Sequence, residues 1–373
     1  MRRYVFWQNI PNHLQSPWIS ALAKRNDTRV QVITEEEIEE RRLQLGWIPP
    51  DFSPAELRIG ISREEARATI REAGPEAVHI FGGLGAYRGV QEALVECIRD
   101  GGHRVGVMAE CPARAGLAGA ARFLLGALRR LRFGSHIDFL LGLGEHSGIR
   151  FRQLGYDAKR VFDFAYYPPL PPANETPSGA WPEGKVRLLH VGELSLRKGI
   201  DRVIESLAMI GGDGWCYGLV GLGKDERRFR TLAAEAGIGG KVLFFGAMPN
   251  PEAMRVLAGA DVLILASRMD GYGAVVNEAL MRGVPVICSS DCGARQAVAA
   301  NPVRGSVFSS PESLRAALER RIRQGTRDAR RTAAVRAQSE CITPECGAAY
   351  FLEVMEHVYG NGARPVAPWL RKP

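Results

Sequence analysis

The sequence contains no run of apolar residues as long as the roughly 18 that a membrane-crossing helix requires. Behind Met1-Arg2-Arg3 there is only a short apolar stretch before Gln8-Asn9, too brief for the core of a secretory leader, so a cytoplasmic protein is expected. The 7 cysteines are scattered, with no CxxC pair, which fits reduced thiols and excludes a zinc ribbon or a disulfide scaffold. Cys288 and Cys292 read as core or loop thiols. No Asp-x-Asp, HExxH or His/Cys cluster is present, so no metal site is argued. A GxSxG elbow and solenoid repeats are lacking too.

What is present is a chain of 373 residues, 46% hydrophobic and 24% charged, which suits two globular domains. A net charge of +8 favours an acidic partner such as nucleotide phosphates, anionic lipid head groups or nucleic acid. The basic residues are dispersed and form no platform with aromatics, so nucleic acid is not expected.

Short apolar strands alternate with helical stretches from the start. Strands are expected at 4–7, 30–33, 77–81, 103–108, 139–141 and 160–164, with a helix opening at Ser16-Pro17 and a solvated helix over 35–42. Residues 167–185 include PPLPPANETPSGAWPEGK, through which neither helix nor strand runs. The alternation then restarts, with strands at 186–191, 216–220, 242–245 and 262–265, and turns helical from 311 to 360. This is the pattern of two doubly wound, Rossmann-like parallel-sheet domains facing across a cleft. The expected divisions are 1–168, a Pro-rich linker at 169–185, 186–360, and a tail at 361–373.

The most informative stretch is 268–287, RMDGYGAVVNEALMRGVPVI. A buried-type strand feeds a loop holding Gly271, Tyr272 and Gly273, and a helix opens near Ala274. Glycines allow close backbone approach, and a helix N-terminus favours an anion. Asp270 and Glu278 frame this loop. Carboxylates are poor phosphate ligands but good acceptors for hydroxyls, so the combination points to a ligand carrying both phosphate and sugar. An ordinary turn with a capping Asp and a solvated Glu is the alternative.

After the first strand of the second half, GELSLRKG places Arg197 and Lys198 before a helix. As a mere basic helix start this would oppose the helix dipole; as a diphosphate site it is favourable. Gly221 and Gly223 follow the next strand, where amides can meet a ligand, although Glu226 stands where a dinucleotide fingerprint needs its third glycine. Gly142-Leu143-Gly144 with Gly148 is equally incomplete. In the first half, Glu110 just past a strand and His13 in the first loop are candidate acceptor-side groups. Residues 113–133, ARAGLAGAARFLLGALRRLRF, have no acidic residue and contain Arg114, Arg122, Arg129, Arg130 and Arg132. With Leu117, Phe123, Leu124, Leu128 and Leu131 as an apolar stripe, the pattern is either that of a helix on an anionic membrane surface or of a packed helix with a basic outer face.

The second half resembles the family 4 retaining glycosyltransferases of the GT-B fold. The likeness is carried by VGELSLRKGID (191–201), LVGLGKDE (219–226), FFGAM (244–248), ADVLILAS (260–267) and DGYGAVVNEALMRGVPVI (270–287), in the family's order. It implies a nucleotide-diphosphate sugar donor, a saccharide or lipid-linked saccharide acceptor, and no metal or cofactor. By this resemblance Lys198, Asp270 and Glu278 are the catalytic groups: Lys198 on the diphosphate, Glu278 on the ribose hydroxyls, and Asp270 with the Gly271 to Gly273 amides on the transferred sugar. Phe245, Gly246 and Ala247 would lie beside the base, with Gly221, Gly223 and Arg197 completing the donor site. Two departures stand out. Asp270 is one methylene shorter than the family's usual Glu, and Glu193 replaces its usual Arg, so phosphate neutralisation leans on Lys198 and Arg197. The first loop, 9–13, also lacks the frequent glycine pair. The expected role is in cell-surface polysaccharide synthesis, at the inner face of the membrane if 113–133 docks there. The alternative is a non-catalytic nucleotide-sugar-binding subunit.

Overall fold

A computed structural model describes residues 1–38, 40, 48–85, 87–110 and 116–371. The described chain divides into two compact units. The first takes in Met1 to Glu40, Ile48–Pro169 and Ile342–Pro373, and the second Leu170–Cys341.

The first unit holds a seven-stranded parallel sheet: β1 (Arg2–Gln8), β2 (Thr28–Thr34), β3 (Glu56–Ile59), β4 (Val78–Phe81), β5 (Arg104–Glu110), β6 (Phe139–Leu143) and β7 (Val161–Phe164), in spatial order 3-2-1-4-5-6-7. Helices α1 (Ser16–Ala23), α2 (Arg63–Ala73), α3 (Arg88–Asp100), α4 (Gly116–Phe133) and α5 (Glu145–Gln153) connect the strands. The central strands are mostly apolar and buried, with Tyr4–Trp7 of β1, Val78, Ile80 and Phe81 of β4 and all of β6 in the core, as a sheet covered on both faces demands. β3 lies at the sheet edge, and its alternating charged sequence, Glu-Leu-Arg-Ile, gives no buried-strand signal. The helix expected over 35–42 does not form at 35–38, which are bend and irregular chain after β2, while 39, 41 and 42 lie outside the described residues. Gly142 and Gly148 serve close packing of β6 on α5: a Cβ on Gly142 would lie 2.6 Å from the Gly148 nitrogen.

The second unit holds a six-stranded parallel sheet of β8 (Val186–Val191), β9 (Trp215–Val220), β10 (Val242–Gly246), β11 (Val262–Leu265), β12 (Val286–Ser289) and β13 (Gly305–Phe308), ordered 10-9-8-11-12-13. Helices α6 (Ile200–Ile210), α7 (Glu226–Glu235), α8 (Asn250–Ala258), α9 (Val275–Met281), α10 (Arg295–Ala299), α11 (Pro311–Arg323) and α12 (Ala329–Ala337) complete it. Both sheets are doubly wound, as the alternation in sequence predicts.

Two expected boundaries move. The Pro-rich segment is not a free spacer: the Ser178 amide donates to the Arg255 carbonyl at 3.1 Å, Trp181 packs edge-on to Phe245 at 5.1 Å, and Glu175 pairs with Arg282 at 2.9 Å. Gly218 on β9 leaves the room for both rings, because a Cβ there would be 2.6 Å from Phe245 and 2.7 Å from Trp181. The division at 360 is also displaced, since the last helix, α13 (Pro344–Tyr359), belongs to the first unit. Its Phe351 meets Tyr4 at 5.2 Å and Trp18 at 5.4 Å, and its Tyr359 hydroxyl donates to Asp138 at 2.9 Å. Without α13 the outer faces of Phe6, Trp18 and Phe164, all fully buried, would be exposed to water.

Phe351→Ala is therefore expected to destabilise the first unit by about 3–5 kcal/mol, as deletion of a buried aromatic generally does. A fluorescence probe on each unit during urea unfolding should show the first transition advanced and the second unmoved. A shift below about 1 kcal/mol would mean that α13 does not hold the unit together.

Candidate functional site

In the second sheet the strand order reverses between β8 and β11, and doubly wound sheets bind ligands beyond the carboxyl ends of the strands at such a point. The loops leaving these two strands are tied by main-chain contacts. The Arg268 amide donates to the Arg197 carbonyl at 2.8 Å. Gly199, with φ 70°, lets the backbone turn in a left-handed conformation so close to the other loop that a Cβ would sit 1.9 Å from the Ala266 carbonyl oxygen. Arg268 adds a two-pronged pair to Asp201 in the first turn of α6, at 2.8 and 2.6 Å.

Neighbouring strand ends are drawn in as well. The Leu196 amide donates to Asp225 at 2.8 Å, Leu194 exchanges backbone hydrogen bonds with Leu222 and Asp225, and the Gly221 amide donates to the Gly246 carbonyl at 2.8 Å. Gly223 packs where a Cβ would be 2.1 Å from the Leu194 carbonyl. The glycines at 221 and 223 thus let three loops interlock, and the Gly221 amide expected to meet a ligand is instead engaged by the Gly246 carbonyl.

Across the reversal point Lys198 Nζ meets Asp270 Oδ2 at 2.6 Å, with both side chains largely buried. Ser267, fully buried, donates to the same carboxylate oxygen at 3.3 Å, and its carbonyl is held by Ser289 at 2.6 Å. Beneath them His190, at the end of β8, is fully buried and is pushed down to about 4 by desolvation and, secondarily, by the Lys198 charge, so its imidazole is neutral at pH 7. Arg197 pairs with Glu193 at 2.9 Å and reaches the Met269 carbonyl at 3.3 Å. That pairing holds the Glu193 carboxyl below its ordinary range.

Gly273, with φ 85°, ends the Asp270 loop, where a Cβ would strike Leu265 at 2.7 Å and Cys292 at 2.8 Å. Tyr272 turns into the protein, its hydroxyl accepting from Asn277 at 2.6 Å, so it shapes the loop and offers no ring to solvent. Glu278 lies in the first turn of α9. Desolvation, only partly offset by Arg282, pushes its carboxyl up to about 7. Arg282 is held by Glu175 from the Pro-rich segment and also donates to the Glu278 carbonyl at 3.2 Å. Phe245 and Gly246 end β10, and Ala247 beyond them is exposed.

The candidate residues of the second unit therefore gather on consecutive strand ends, with Lys198 and Asp270 in direct contact. His13 and Glu110 sit in the first unit, after β1 and at the end of β5, with Glu110 accepting from the Tyr166 hydroxyl at 2.5 Å. Sequence reasoning missed His190, Ser267, the Arg268–Asp201 pair and the Glu175–Arg282 pair. Asp201 lies inside a recognised motif, but nothing in the spacing links it to a residue 67 positions away.

The match to a known protein family falls on the second unit. Residues 173–338 match the family model described as glycosyl transferases group 1. This range is almost the whole of the second unit. The chain is 33% identical over 129 residues to the lipopolysaccharide glucosyltransferase WaaG of Escherichia coli, covering 34% of this chain and 33% of that protein. It is 28% identical over 151 residues to the amylovoran biosynthesis glycosyltransferase AmsK of Erwinia amylovora, covering 38% and 37%. The matched segments thus span about a third of the length of these relatives. The solved structure of Alr3699/HepE from Anabaena, in complex with UDP and glucose, superposes over 95% of this chain and 100% of that one with a TM-score of 0.64 at 16% identity. The shared architecture of two doubly wound sheets is that of the GT-B fold.

The Glu278 environment sets a pH dependence. Because its folded pKa is raised above that of an unfolded carboxyl, the native state holds the extra proton between the two values, and stability from this group falls as pH rises from about 4.5 through about 7. Glu278→Gln should therefore gain stability relative to the parent between pH 5 and pH 8, measured as urea midpoints. Parallel pH profiles for the two proteins would show that the carboxyl is not desolvated.

Proposed function

We propose that this chain is a glycosyltransferase that moves a sugar from a nucleotide-diphosphate donor to a hydroxyl of a saccharide or lipid-linked saccharide, with retention of anomeric configuration. The observation that carries the reading is the Lys198–Asp270 contact across the reversal point, within a unit that matches glycosyl transferases group 1. The names of the relatives, in lipopolysaccharide and amylovoran synthesis, support a role in cell-surface polysaccharide assembly.

In this reading Lys198 and Arg197 face the diphosphate, Asp270 accepts from hydroxyls of the transferred sugar, Glu278 accepts from the ribose, and Phe245 to Ala247 border the base. The acceptor oxygen forms a bond to the anomeric carbon as the bond from that carbon to the diphosphate oxygen breaks, and the hydroxyl proton passes to the departing phosphate. Retention follows if attack and departure share one face of the sugar. The protein's contribution is positioning and stabilisation of charge on the leaving group. We assign that charge stabilisation to Lys198, Arg197 and the loop amides, with no metal ion or other cofactor. Each cation is already matched by a carboxylate, so the diphosphate competes with Asp270 and Glu193 for them. His13 and Glu110 are assigned to the acceptor side.

Incubation with a panel of UDP-, GDP- and ADP-sugars plus a saccharide acceptor should release nucleoside diphosphate with one donor. Lys198→Ala should lower that turnover by about 10²–10³, the scale of losing one charge-stabilising group, measured below the variant's own thermal midpoint because it leaves Asp270 buried without its partner. Near-parental turnover in the variant would remove Lys198 from the reaction. Saturable donor binding without nucleotide release across the panel would leave a binding subunit in place of an enzyme.

A further inference from the structure

Helix α4 is built inside out. Its inward seam is Gly119, Gly126 and Phe133, spaced seven apart: Gly119 and Phe133 are buried, and Gly126 lies against Leu154, where a Cβ would come within 3.1 Å of that side chain's methyls. The opposite face carries Leu124, Leu128 and Leu131, at i, i+4 and i+7, exposed by 62%, 53% and 71%. Phe123 and Leu125 widen this stripe. A surface helix of a globular protein normally turns such residues inward, so a contiguous outward stripe marks an interaction face.

The charge around the stripe is of one sign. Arg122, Arg129, Arg130 and Arg132 flank it, and 116–133 contains no acidic residue. Arg129 donates to the Gly85 carbonyl at 2.9 Å and Arg130 to the Gly155 carbonyl at 3.2 Å, which anchors both arginines beside the stripe. Arg150 of α5 adds a cation 5.1 Å above the Phe123 ring. Of the other residues expected here, Arg114 lies outside the described residues and Leu117 outside the side chains described.

We propose that α4 is a docking helix that lies in the head-group layer of a bilayer rich in anionic phospholipid, its leucines in the acyl boundary and its arginines on lipid phosphates. An amphipathic helix with cations bordering a leucine face has this chemistry. A second copy of the chain is a poorer occupant, because mating two such faces brings like charges together with no carboxylate on the helix to compensate them. The inference stands apart from the transfer reaction and needs no donor or acceptor.

The test is co-sedimentation of the full chain with phosphatidylcholine vesicles and with vesicles containing about one-third phosphatidylglycerol. Binding is expected to the anionic vesicles only, and to weaken severalfold in about 0.5 M salt. Leu124→Asp/Leu128→Asp should lower partition at least tenfold with an unchanged thermal midpoint, since both residues are exposed. The lipid and salt dependence of the parent chain tests the inference even if the double variant folds poorly. No binding to anionic vesicles, or equal binding to both kinds, overturns it. So does a salt-sensitive dimer in sedimentation velocity that the double variant dissolves without any vesicle binding, which would assign the stripe to a second copy.

Discussion

A 2.6 Å contact between a lysine and an aspartate from loops on either side of a strand-order reversal is the interaction on which the second unit's site depends. A buried ion pair is weak evidence of stabilisation, because two charges removed from water recover little more than their desolvation cost. What holds these loops is different: the Arg268 amide on the Arg197 carbonyl, the Arg268–Asp201 fork, and a glycine at 199 whose missing side chain lets the backbones touch. The pair sits on a frame held by these other contacts, with each of its charges matched by the other.

The two carboxylates that flank the Gly271 to Gly273 loop differ in kind. Asp270 has a cation in direct contact and a serine hydroxyl on the same oxygen, an environment made for a carboxylate. Glu278 has neither among the described residues, and burial drives it toward the neutral acid near pH 7. Placed on one strand-loop-helix, they give the site one strong acceptor fixed by charge and one whose acceptor strength depends on pH. Sequence alone treats them as a matched pair framing a loop. The difference lies in Arg282, which could have paired Glu278 but is instead engaged by Glu175 from a segment 107 residues earlier.

That segment shows where legibility ended. Four of the six strands of the second unit fall where apolar runs predict them, β8 and β11 to the residue, because a strand covered on both faces is mostly apolar; β12 and β13 lie outside those predictions. Lys198 and Asp270 stand out locally, as a cation before a helix and a carboxylate on a strand-end loop, whereas the glycines at 221, 223 and 273 serve close loop packing that their spacing does not reveal. The Pro-rich stretch announced only that it is irregular. Its packing on Phe245 depends on Gly218, a single glycine inside a strand whose purpose no period reveals. The C-terminal helix was legible as a helix, but its return to the first unit depends on aromatic contacts more than 300 residues apart in sequence.

Helix α4 raises the converse problem, of a sequence pattern with two structural solutions. The periodicity of its leucines is the same whether they face a core or solvent, and only the inward residues decide between the two. Two glycines and one phenylalanine, at seven-residue intervals along the inward seam, allow the helix to lie close to the body of the unit with its leucines turned away. Those leucines then add little to the folding of the unit, and each exposes apolar area to water that burial would otherwise remove. Among the described residues stability therefore does not account for their presence, which is what marks the stripe as an interaction face.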